Sequence, residues 1–201
     1  MTQKYTTTLN TRPFLYRETK LIASLIDEGL GDDQIKKQVV DDNLLGLQSI
    51  DRRNRFYHEI KKRLAYLDDD LFQSFIRSDS QTSKLILLYG ILSKDQLLYE
   101  WMREVVFDKW LTLDYVVHRQ DTLTFFDKKA EQNDTVKNWK EITRERLTNA
   151  YHQTLVDADY ADSGDEKVIL HRPIIAPDVE RYLINHKEKL LVEVLLGEVL
   201  Q

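Results

Sequence analysis

The sequence predicts an all-α protein, a compact multi-helix bundle with at most a small β-hairpin near residues 166–175. Three observations predict it. Only six Gly and three Pro are spread over 201 residues, too few turn-formers for a sheet-rich fold. Apolar residues recur at three- and four-residue spacing along most of the chain. The single β-branched run with strand character is "KVILHRPII", which Pro173 interrupts.

The elements follow in order. Thr11 and Pro13 suit a cap and a first turn, with Leu15, Ile22, Leu25 and Ile26 at helical spacing and Gly29 as the stop. Asp32 opens a short second helix that turns Ile35 and Val39 inward. The turn "NLLG" leads to Ser49, the N-cap of a helix whose buried stripe is Tyr57, Ile60, Leu64 and Leu67. Asp68–Asp70 caps "LFQSFIRS". Two apolar segments, 82–93 and 95–112, carry Tyr89, Leu98, Trp101 and Trp110 into the core. Helices at 121–132 and 135–158 precede the break "YADSGDE", and Asp178 caps a last helical region, bent near Lys187. The division expected is an N-terminal helix-turn-helix-like subdomain, 1–67, packed as one unit with a C-terminal helical subdomain, 68–201.

With no cysteine, disulfides, thiolate metal sites and cysteine nucleophiles are excluded, and a reducing cytoplasm is the expected location. The longest apolar run, "LILLYGIL" at 85–92, is far short of a membrane span. No glycine-rich phosphate loop is present, and the five histidines are widely spaced, so no metal, cofactor or catalytic residue is expected. "PDVERYLINHKEK" has the residue types of some nuclease sites, but Asp178 reads better as a helix cap. The absence of a leftover apolar stripe points to a monomer.

The net charge of −5 is unevenly shared. Residues 1–66 hold 12 Lys and Arg against 9 Asp and Glu, whereas the remainder holds 17 against 25. Nucleic-acid binding answers to local potential, so the N-terminal third keeps that function open. Arg52, Arg53, Arg55, Lys61, Lys62 and Arg63 crowd one helix, and in a helix-turn-helix its first turns would meet base edges. Arg52, Arg55 and Lys62 share a stripe that Glu59 interrupts. Lys4, Arg12, Arg17 and Lys20 would form a basic arm. A secondary face is Lys137, Lys140 and Arg144, with the following strand as a wing, although Glu141 and Glu145 also suit intrahelical ion pairs. The alternative for every one of these cations is an ordinary solvated helix face.

Several stretches taken together resemble the BrxA family: "KYTTTLNTRPFLYRETKLIASLIDEGL", "NLLG", "RLAYLD", "YGILSKDQLLYEWMREVVFDKW", "FFDKKAEQ" and "HRPIIAPDVERYL". BrxA is the small component of bacteriophage exclusion (BREX) defence systems. The resemblance implies a soluble, mostly helical, non-enzymatic protein that binds double-stranded DNA and acts beside other BREX components. It also implies a core similar to the antitermination factor NusB. The rival expectations are a protein–protein adaptor in the same complex and an RNA-binding protein.

Overall fold

The computed structural model describes residues 5–200. A 3-10 turn at Thr8–Asn10 precedes α1 (Tyr16–Asp27), α2 (Asp32–Lys36) and α3 (Ile50–Leu64). There follow α4 (Asp69–Arg77), α5 (Ser80–Lys94), α6 (Gln96–Trp101), α7 (Phe107–Leu111) and strand β1 (Val116–His118). The chain continues through α8 (Arg119–Gln132), α9 (Asp134–Lys137), α10 (Glu141–Asp157), β2 (Ala161–Gly164) and β3 (Lys167–Leu170). It closes with α11 (Pro177–His186) and α12 (Lys189–Leu196). The all-α class is borne out, and among the described residues no helix is long and apolar enough to cross a membrane.

The centre is α5. Leu85 to Leu88 and Ile91 to Leu92 are all buried, so this helix is apolar all round and must be covered on every side. The helices α3, α4, α6 and α12 supply the cover. Gly90 lets α3 approach closely, since a Cβ there would sit 3.0 Å from the Arg63 carbonyl oxygen. Trp101 and Leu98 are fully buried and Tyr89 nearly so, as the spacing predicts. Trp110 is only half-buried, packed between Tyr115 and Tyr160.

The N-terminus of α5 is fixed by Asp79. Its carboxylate accepts the backbone N–H groups of Gln81 and Thr82, both at 2.9 Å, and the Thr82 hydroxyl at 3.0 Å. Those bonds, led by the one from the Thr82 amide, hold the carboxyl below its ordinary pKa. Asp79→Ala is expected to cost about 1 kcal/mol of stability. The urea midpoint at neutral pH measures it, and an unchanged midpoint would show that the cap is dispensable.

Four local expectations shift. The Pro13 segment is not yet helical: Leu15 stands at φ 57 before α1 begins at Tyr16. The reason is tertiary, because the carbonyls of residues 12–14 are taken by a side chain from α3 (below). Residues 95–112 form two α-helical pieces joined by a wider π turn, Met102–Val106. The expected 135–158 helix is broken between α9 and α10, so Lys137 and Lys140 do not continue one helical face. Finally, Pro177 rather than Asp178 opens α11, with Ala176 at the cap position.

The β structure is larger than the hairpin expected at 166–175. β2 and β3 form that hairpin, starting earlier, at Ala161. β1 then pairs antiparallel with β3, Val117 opposite Val168, so the sheet order is β1-β3-β2. Val117 and Val168 are buried in the core, whereas Ile169 faces out. Three residues are too few to signal β1 in the sequence; β3 supplies the partner that makes it a strand.

Candidate nucleic-acid interface

The basic cluster on α3 divides into structural and solvent-facing members. Arg63 is 1% exposed and is no surface contact. Its guanidinium donates to the carbonyls of Arg12 at 2.7 Å, Pro13 at 2.7 Å and Phe14 at 2.8 Å, and to Glu59 at 2.9 Å. Lys94 closes on Glu59 at 3.0 Å from the other side. Burial alone would raise the Glu59 carboxyl; Arg63 and Lys94 outweigh it and hold the pKa below its ordinary value. Glu59 therefore does not interrupt an exposed stripe, because it is turned into the core.

Arg53 is also structural. It donates to the Leu47 carbonyl at 2.9 Å and to that of Val40 at 3.0 Å, tying the turn between α2 and α3. Lys61 is ion-paired with Asp32 at 2.8 Å. That leaves Arg52, Arg55 and Lys62 facing water. Arg55 lies 3.0 Å from Asp51 in an exposed pair, a contact of little strength. Arg52 has no carboxylate partner among the described residues and lies over the Phe56 ring at 5.1 Å.

The other expected cations scatter. Lys4 lies outside the described residues. Arg17 is exposed on α1, whereas Arg12 is half-buried and its backbone carbonyl accepts from Arg63. Lys20 turns inward and donates to the carbonyls of Phe75 and Ile76 at the end of α4, so it is no arm residue. Lys137 and Lys140 are exposed, and Arg144 is paired with Asp127 at 2.8 Å.

What the fold adds is α10. Beyond Glu141 at its start, its exposed positions, Ile142, Arg146, Asn149 and Gln153, recur at four, three and four residues and make one stripe. The start of α3 faces this stripe across an open cleft of about 680 Å³. Arg52 and Arg55 line it from α3, and Arg146, Asn149, Gln153 and Asp157 from α10. The segment Leu9–Thr11 with Pro13 lines it between them. That segment is pinned twice: Arg63 holds the carbonyls of residues 12–14, and on the other side Leu9 is buried and Asn10 reaches the Thr143 carbonyl at 3.5 Å. Arg63 thus positions the cleft without lining it.

A second hollow, of about 260 Å³, opens on the other side of the stripe. Asn149 and Gln153 line it too, together with Arg119, His152 and, from the β2–β3 hairpin, Glu166 and Lys167. Arg119 donates to the Asn149 side-chain oxygen and pairs with Glu166 at 3.4 Å. At the base, the Thr122 hydroxyl accepts from Trp101 Nε1 at 3.1 Å and meets His152 Nε2 at 2.9 Å.

Sequence reasoning missed Arg146, Asn149, Gln153, Arg119 and Lys167. The four-three-four spacing of the α10 stripe was visible. The pairing of α3 with α10 was not, since they lie about ninety residues apart in sequence.

Fold and cleft together define a mostly helical protein that presents arginines from two distant helices along one open cleft. A model of the BrxA family matches residues 3–187, and the chain belongs to that family. It is 27% identical over 98% of both chains to the BREX protein BrxA of Bacillus cereus (strain H3081.97). It is 20% identical over 87% of both chains to the BREX protein BrxA of Paramagnetospirillum magneticum. A crystal structure of a Magnetospirillum magneticum protein superposes with a TM-score of 0.80 at 19% identity, covering 96% of this chain and 99% of that one. That likeness shows the fold.

Proposed function

We propose that this protein is a non-enzymatic accessory component of a BREX phage-defence system that binds double-stranded DNA, chiefly through backbone phosphates. The observation that carries the reading is the cleft: Arg52, Arg55 and Arg146 converge on it, and among the described residues neither Arg52 nor Arg146 has a carboxylate partner. Guanidinium groups left unpaired beside a concavity suit phosphate oxygens, which they can meet two bonds at a time. The relatives named as BREX proteins support the setting, as does family membership.

Replacing Arg52 and Arg55 together by Ala tests it. Both side chains are exposed, so folding is expected to persist. Duplex affinity is expected to fall roughly ten- to a hundredfold, at about 1 kcal/mol or more per lost charged hydrogen bond. The slope of log K against log salt should flatten by about 1.8, for two contacts at about 0.9 each. Lys137→Ala with Lys140→Ala, away from the cleft, should change neither. A parent that binds no duplex, or one that binds RNA better than DNA, would overturn the reading.

One observation favours the adaptor reading as second. Leu113 is 73% exposed in a left-handed turn at φ 58, on the rim of a hollow that Trp110, Tyr115 and Arg172 also line. An exposed leucine in strained backbone suits a protein contact. Leu113→Asp would then release a partner subunit while leaving DNA binding intact.

A further inference from the structure

A helix that reads bases differs from one that only holds phosphates. It needs hydrogen-bonding side chains on its outermost stripe, with cations on both flanks to take the two strands that border the major groove. On α3 this requirement fails. Arg53 and Arg63 are consumed by backbone carbonyls, and the exposed polar face that remains, Asp51, Arg52, Arg55, His58 and Lys62, carries no amide and has Arg55 paired with Asp51.

On α10 it is met. Arg146, Asn149 and Gln153 are exposed polar side chains on one stripe, with Glu141 exposed off it at the first position of the helix, and the two amides border both hollows at once, so the helix is a ridge between them. One flank carries Arg52 and Arg55. The other carries Arg119 and Lys167, the latter on the hairpin that follows α10 directly. The carboxylates that line the two hollows are engaged: Asp157 accepts from Gln153 Nε2 at 2.8 Å, and Glu166 pairs with Arg119. The Asn149 oxygen is held by Arg119, which fixes the amide's direction and leaves its NH₂ free to donate.

We infer that α10, rather than α3, is the element that enters the major groove, with Arg146, Asn149 and Gln153 against base edges and the two flanking cation pairs on opposite backbones. The inference rests on the DNA reading above and names its specificity. Asn and Gln suit adenine N6 and N7, and Arg suits guanine O6 and N7, so the preferred site should contain both purines. The β2–β3 hairpin then serves as a wing on one backbone.

The test is selection of duplexes from a randomised pool by the full chain, alongside Asn149→Ala/Gln153→Ala and Arg52→Ala/Arg55→Ala variants. The parent should enrich a short purine-containing motif over the unselected pool by roughly tenfold or more, the discrimination of one good amide–base contact. The amide variant should lose the motif yet keep its salt slope and bind random duplex within about threefold of the parent. The Arg52/Arg55 variant should keep the motif and lose slope. Methylation interference on the parent gives a check that needs no variant: guanine N7, in the major groove, should be sensitive. A parent that binds duplex with strong salt dependence but enriches no motif would overturn this inference and leave the DNA reading standing. So would an amide variant with an undiminished motif, or interference confined to the minor groove. A parent that binds no duplex would remove both.

Discussion

Arg63→Met is expected to destabilise the protein by about 3–5 kcal/mol, the cost of breaking a buried charge cluster from one side. The side chain lies fully inside and holds three carbonyls and the Glu59 carboxylate. Without it, the oxygens of residues 12–14 lose their donors and Glu59 keeps only its Lys94 pair among the two ions that hold it. Glu59→Gln should cost less, because Lys94 and Arg63 remain with other partners to meet. The double variant should fall short of the summed single effects, since both act on one cluster. Urea midpoints and slopes measure all three, and a loss below about 1 kcal/mol for Arg63→Met would show that water replaces the guanidinium. Duplex affinity of any folded Arg63 variant should fall as well, because the Leu9–Pro13 segment of the cleft is positioned through it.

Stability should decline by about 2 kcal/mol between pH 7 and pH 5 through His152 alone. Burial, helped by the nearby Arg119 charge and opposed by Asp121, pushes its pKa from 6.5 down to about 4. The folded-state value lies below the unfolded one, so as pH falls the unfolded chain takes up the proton first. The contribution is therefore complete above pH 6.5 and is lost on the way down to about 4. The geometry agrees: the Thr122 hydroxyl accepts from Trp101 and has its own proton to give to His152 Nε2, which suits a neutral ring. Comparing His152→Gln with the parent at both pH values isolates this group from the carboxylates. If the variant keeps the parent's full pH 7 to pH 5 difference, the ring is protonated in the folded state and the pKa assignment is wrong.

Much of the fold was legible because helical spacing is a local property. The Tyr57–Ile60–Leu64–Leu67 stripe, the apolar run of α5 and the burial of Trp101 and Leu98 all follow from sequence and appear in the structure. The misreadings share a cause. The Pro13 start was displaced by Arg63, fifty residues away, and β1 became a strand only because β3 lies beside it. The charged cluster on α3 misled for the same reason. A run of Arg and Lys has one appearance in sequence whether the guanidinium meets solvent, as Arg52 does, or three carbonyls, as Arg63 does.

By itself, the sequence determined the helical class, the core stripes of its main helices and, through resemblance along the whole chain, the family. These rest on short-range periodicity and on the order of whole segments, both of which survive without coordinates. Only the tertiary structure decided which cations are structural and which are free, and only it set Arg52 and Arg55 across a cleft from Arg146. The physical reason is that a side chain's partner is set by the packing of distant segments, and the burial that turns an arginine into a core hydrogen-bond donor leaves no mark on its neighbours in the chain.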